Sequence, residues 1–140
     1  MTRQVIIDYW MDKARADLES AWDNFNSGRY ANAVRDAYFA CFHAFSSILF
    51  KEGRIFRKHK EVRSALHRDF IRSKRIDSTW GKHYDWLFDN RQKADYRPMV
   101  QFEAEQVKEI LDKSGEFVSE MQKIGGGNLT GAAGGNKRDM

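Results

Sequence analysis

The stretch "DAYFACFHAFSSILF", residues 36–50, is apolar on nearly every face of a helix. Val34, Tyr38, Cys41, Phe45 and Ile48 form one row at spacings of three and four, and Phe39, Phe42 and Phe50 form another. A helix that is apolar all round has to be surrounded, by lipid or by protein. A membrane span needs about 20 predominantly apolar residues. This run is shorter, with Arg35, Asp36 and Lys51 at its ends. It therefore predicts a central helix from about Arg29 to Lys51, closed by Gly53 and enclosed by other helices.

The flanking sequence supplies the enclosure. Ile7, Trp10, Ala14, Leu18, Ala21 and Phe25 make a helical seam from the N-cap Thr2 to about Asn26, with Gly28 as the stop. Val62, Leu66 and Phe70 predict a third helix over about Lys60 to Ser73. A fourth runs from Ser78 to Tyr96, capped by Asp77 or Ser78. Arg97 precedes Pro98 and is biased away from helical geometry. A break is expected there, with Pro98 opening a fifth helix through Val107, Ile110, Ser114, Phe117, Met121 and Ile124. Strand-like alternation is absent. The fold class is all-α, an up-and-down bundle of four to five antiparallel helices over residues 1–124. Residues 125–140, "GGGNLTGAAGGNKRDM", hold six glycines and nothing to bury, and read as a flexible Gly-rich tail.

A 41% hydrophobic share with 31% charged residues suits one globular domain of 140 residues. The N-terminus "MTRQVIIDYW" lacks the apolar core of a secretory leader, and Cys41 is the single cysteine. Both point to a reducing cytoplasm and away from a membrane, and the "NLT" at Asn128 is discounted as a glycosylation site. The net charge of +4 is uneven, because residues 54–75 carry nine Lys or Arg against Glu61 and Asp69. Such a segment suits a phosphate-rich partner, or serves simply as a solvated helix face.

On the fourth helix, "FDNRQKADY" (88–96) interrupts its own seam. Trp80, Tyr84, Leu87 and Ala94 keep helical spacing, and the position that completes it is Arg91. An unpaired buried guanidinium costs several kcal/mol, so Arg91 has either a partner or a cleft. Asp95, four residues on, can pair with it on the same face. On the second helix, Arg35, Phe39, His43 and Ser46 share one side. Arg35 and His43 are about 12 Å apart along the axis, too far to grip one atom but suited to lining one groove. The histidines at 43, 59, 67 and 83 give no metal-ligand spacing, no phosphate-binding glycine loop is present, and no cofactor is implied.

Three segments, "RDAYFACFHAF" (35–45), "HKEVRSALHRDFIRSKRID" (59–77) and "RQKADY" (91–96), together resemble the HEPN domain family, in its small stand-alone prokaryotic form. The resemblance extends over about residues 5–123. It implies a helical bundle, commonly a homodimer, often encoded beside a minimal nucleotidyltransferase as a toxin–antitoxin-like pair. Many members are metal-independent ribonucleases whose signature is an arginine followed, four to six residues later, by a histidine. Arg91 stands at the signature arginine. No histidine follows it, and Tyr96 stands five residues on. A phenol has a pKa near 10 against about 6.5 for imidazole, which disfavours it as a base at neutral pH. Arg54 and His59 match the bare spacing in the loop after Gly53, a chance match.

Three functions follow as expectations. One is binding of nucleotide or RNA phosphate in a groove by Arg91, Asp95, Arg35, Tyr38, His43 and His59, with the 54–75 segment adding a non-specific electrostatic attraction. The second is metal-independent RNA cleavage, with Arg91, Tyr96 and His43 as the candidate catalytic set, or His59 in place of the missing base. The third is a structural role in a homodimer or with a nucleotidyltransferase-like partner, for which Tyr96 would be a candidate acceptor of a nucleotide.

Overall fold

The computed structural model describes residues 2–96 and 101–126, with the backbone alone for 94–96. Its elements are α1 (Arg3–Asn26), α2 (Tyr30–Lys51), α3 (His59–Ala65), which runs straight into a π-helical turn (Leu66–Ile71), α4 (Ser78–Tyr96) and α5 (Ala104–Ile124). The described residues contain no strand, and the chain is an all-α bundle. The 1–124 unit and 125–140 tail are a division most of whose second part, residues 127–140, lies outside the described residues.

α2 is the central helix that its composition predicts. It packs against α1, α4 and α5, and α1 also meets α5. Val34, Tyr38, Cys41 and Phe45 on one row, and Ala33, Ala37, Ala40 and Ala44 on others, have no exposure. The alanines let neighbouring helices come close, while Phe45 meets Phe70 of the π-helical turn edge-on at 4.9 Å between ring centroids. Helix ends follow the expected chemistry. The Thr2 hydroxyl accepts from Val5 N at 3.3 Å, and Asp77 Oδ1 accepts from Thr79 N at 2.9 Å at the start of α4. Gly28 and Gly53 end α1 and α2 in the left-handed region at φ 77° and 78°.

Two expectations change. The third helix is α-helical only to Ala65. Val62, Leu66 and Phe70 are four residues apart, and on an α-helix each such step overshoots the face by about 40°. A wider turn, closed by Arg72 N to His67 O at 2.9 Å, lets Leu66 and Phe70 both reach the core. The fifth helix begins at Ala104 and not at Pro98. Residues 101–103 are non-helical, with Glu103 extended before the first turn. Pro98 itself lies outside the described residues.

The core also holds polar groups. His83 Nε2 lies 3.0 Å from Ser114 Oγ, whose own proton goes to Ile110 O at 2.8 Å, so the imidazole donates from Nε2. Burial, with Lys113 adding to it, pushes His83 down to about 4. Burial pushes the Cys41 thiol up to about 12, which leaves it unreactive. No helix among the described residues is long and apolar enough to cross a membrane.

Because the folded pKa of His83 lies below its unfolded value of about 6.5, stability should be complete above that pH and fall towards the folded pKa near 4. The expected loss is up to about 3 kcal/mol, given 1.36 kcal/mol per pKa unit. Urea unfolding at neutral and acid pH should show that His83→Gln, which can still donate to Ser114, removes this part of the slope. Equal slopes in both proteins would contradict it. Truncating Phe70, fully buried against Phe45, to alanine should cost about 3–5 kcal/mol in the same measurement.

Candidate functional site

The last turns of α4 carry Arg91 onto the outer face of α2. Its guanidinium carbon sits 4.8 Å from the Tyr38 ring centroid and 6.0 Å from that of Phe39. The cation in the apolar seam is thus accommodated by aromatic faces, whose negative quadrupole attracts it at about 0.5–2 kcal/mol. It is half-buried, at the edge of the core and not inside it.

Two histidines come to the same place from different elements. His59 is the first residue of α3, and its ring stacks on Phe42 at 4.3 Å with an 8° interplanar angle. Its Nδ1 is 2.7 Å from the Tyr38 hydroxyl. Burial lowers its pKa, and the charges of Arg91 and His43 lower it further, so at neutral pH it is a neutral imidazole that can accept a proton. His43, one turn beyond Phe39 on α2, stacks on Trp10 at 5.2 Å and on Phe39 at 5.9 Å. Its Nδ1 is 2.6 Å from Asp17 Oδ2 on α1. A carboxylate at Nδ1 fixes the ring's orientation and leaves Nε2 for other work.

Tyr38 joins these groups. It is fully buried, and its ring lies between Arg91, His59 and the core tyrosine Tyr84. Burial raises its pKa, an effect opposed by the Tyr84 hydroxyl and by the cations Arg91 and Arg63. The buried Tyr84 hydroxyl is set towards Tyr38 but short of hydrogen-bond geometry.

The structure therefore brings Arg91, Tyr38, His43 and His59 together. Arg35, half-buried, sits one turn before Phe39 and two before His43 on α2. Ser46 lines an apolar cleft of about 170 Å³ together with Trp10 and Phe42. The side chains of Asp95 and Tyr96 lie outside the described residues, although both backbones belong to α4.

The basic segment is divided by its own ion pairs. Arg54 Nη2 reaches Asp69 at 2.5 Å and Arg75 reaches Glu52 at 2.9 Å, bracing the loop after α2. Arg68 adds two bonds of 3.0 Å to Asp69, and with Arg54 it holds that carboxyl down to about 2. Arg63 lies over the Phe88 ring at 4.2 Å and 3.8 Å from Asp89.

Asp17 carries no sequence signal as a partner of His43, since pairing the two requires the α1–α2 register. The same holds for His67, whose Nε2 meets Asp85 of α4 at 2.9 Å. Gly81, one turn before Asp85, makes that contact possible. A Cβ there would come 2.8 Å from the His67 ring.

A family description reading "HEPN domain" matches residues 7–124. A UPF0332 protein of Thermotoga maritima is 33% identical over 122 residues, covering 87% of this chain and 92% of that protein. A Methanocaldococcus jannaschii protein named "Putative toxin" is 25% identical over 113 residues, covering 81% of this chain and 77% of the other.

If Arg91 helps to keep His59 neutral, Arg91→Ala should raise the His59 pKa, as read from imidazole proton shifts against pH. An unchanged value would separate the two residues electrostatically.

Proposed function

The chain belongs to the HEPN domain family, and we propose that it is a toxin-like member that binds nucleotide or RNA phosphate at the Arg91 cluster. The observation that carries this reading is the convergence of Arg91, His59 and His43 on the aromatic faces of Tyr38, Phe39 and Phe42. A guanidinium seated on ring faces still carries its positive charge, which attracts an anion. Nucleobases stack on aromatic side chains and their phosphates pair with cations, which is the usual composition of a single-strand site. Arg91 holds the phosphate, His59 and His43 supply hydrogen bonds, and Asp95 and Tyr96 complete the arginine's end of the site. The binding unit is residues 1–124, paired as a homodimer and with a nucleotidyltransferase-like protein as partner, in the cytoplasm.

A second reading, metal-independent RNA cleavage, is favoured by one feature. Although no histidine follows Arg91 in sequence, His59 and His43 lie close enough for His43 to depress the His59 pKa. On this reading His59 takes the proton of a ribose 2′-hydroxyl as its oxygen bonds to phosphorus. The bond to the 5′-oxygen breaks, and that oxygen receives a proton from protonated His43. The product is a 2′,3′-cyclic phosphate, with Arg91 stabilising the charge on the phosphoryl oxygens.

Fluorescence anisotropy with labelled RNA should show affinity that falls with rising salt. Arg91→Ala should weaken binding at least about tenfold, a loss of about 1.4 kcal/mol, with the melting transition retained. Salt-independent binding, or an unaffected variant, would overturn the binding reading. Incubation of RNA with the protein in EDTA tests cleavage. Activity lost in both Arg91→Ala and His59→Ala supports the second reading, and activity surviving either substitution counts against it.

A further inference from the structure

The π-helical turn does more than fill the core. Its hydrogen bonds run from residue i to i+5, so side chains five apart come to one face, where an α-helix would turn them well away from each other. Arg63 and Arg68 are five apart across the start of this turn, and Arg72 follows at its end. The three arginines line one open groove with Ser64, His67 and Asp85. His67 forms part of the floor, fixed by Asp85 and by the absence of a Cβ at Gly81. The groove carries three permanent cations against one carboxylate among its lining residues. Arg72 is exposed and makes no ion pair among the described residues. Arg68 gives Nε and Nη2 to Asp69 and retains Nη1.

The groove is also continuous with the Arg91 cluster. The Arg63 guanidinium lies on Phe88, the Arg91 guanidinium lies on Tyr38, and the Phe88 and Tyr38 rings are edge to face at 6.1 Å. Both cations act on the Tyr38 hydroxyl. Arg63 therefore stands between the two sites and belongs to both. We infer that the arginine groove over the π-helical turn is a second phosphate site, joined to the first through Arg63, so that the ligand is an RNA strand and not a mononucleotide. The inference rests on the Arg91 cluster being the first phosphate site. A repeating line of guanidinium groups beside aromatic faces matches the repeating phosphates and bases of a single strand. An acidic protein surface would satisfy the charges but leave the half-buried rings of Phe39, Phe42 and His59 unused.

The test compares a labelled oligouridylate of about ten nucleotides, UMP and polyglutamate. RNA binding by the wild-type chain should weaken with salt, and Arg68→Ala/Arg72→Ala should reduce the log–log slope by about 1.4, at about 0.7 per lost single-strand phosphate contact. The same slope implies a loss of up to about 25-fold in RNA affinity at 0.1 M salt. UMP affinity should not change in that variant, while Arg91→Ala should lose both ligands. If the double variant melts early, Arg72→Ala alone should still reduce the slope by about 0.7, and Arg72→Lys should restore it. An unchanged slope in a folded variant overturns the inference. So does polyglutamate binding as tightly as RNA with the same loss in the variant. Binding of UMP without binding of the oligonucleotide overturns the inference and leaves the Arg91 site standing. If the wild-type chain binds neither, both fall.

Discussion

Everything in this bundle is arranged around the need to cover α2 on all sides. A helix that is apolar all round gains nothing from solvent and loses about 25 cal/mol for each Å² of apolar surface left in water. Its side chains therefore recruit α1, α4 and α5 together, and the exposure of Val34, Tyr38, Cys41 and Phe45 falls to zero. The polar groups that α2 carries into this environment must then be matched by its neighbours. Ser47 gives its proton to the Ile7 carbonyl at 3.2 Å, and His43 meets Asp17. Outside the core, Asp36 accepts from Ser20 and Asn24 at 2.9 and 2.7 Å. All four bonds cross between α1 and α2, so one set of satisfied polar groups fixes their register and, with it, the orientation of the His43 ring.

A second pattern recurs at the edge of this core. Arg91, Arg63 and Arg75 each rest on an aromatic ring, Tyr38, Phe88 and Phe70, at 4.8, 4.2 and 4.0 Å. Stacking on a ring relieves part of the cost of leaving water, and Arg63 and Arg75 add carboxylate partners, Asp89 at 3.8 Å and Glu52 at 2.9 Å. The aromatic share of the sequence, 14%, thus serves both the core and the seating of cations beside it.

The central helix was legible in the sequence because its pattern admits one solution, and the α4 bounds at Ser78 and Tyr96 followed from a cap and a proline. Arg91 stood out for the same reason, as a cation at an apolar position. What a single sequence does not carry is the register between helices. His59, expected among the phosphate-binding residues but read as part of the loop after Gly53, instead opens α3 and stacks on Phe42. Asp17 lies 26 residues from His43, and no periodicity connects them. Pro98 suggested a helix start that residues 101–103 do not follow, since a proline fixes one backbone angle and cannot supply the apolar face that begins at Val107.

The π-helical turn shows how a core requirement can shape a surface. Val62, Leu66 and Phe70 all need to face inwards, and their strict spacing of four suits a turn wider than 3.6 residues. Closing that turn with an i to i+5 bond satisfies the core, and the outer residues have to follow the same rotation. Arg63 consequently shares a groove with Arg68 and Arg72, whereas an α-helix through the same residues would have turned Arg63 about 140° away from Arg68. The apolar spacing and the cationic alignment are two consequences of one change in helical pitch. A substitution that restored regular α-helical geometry between 66 and 71 would therefore disturb both at once, even if it replaced no arginine.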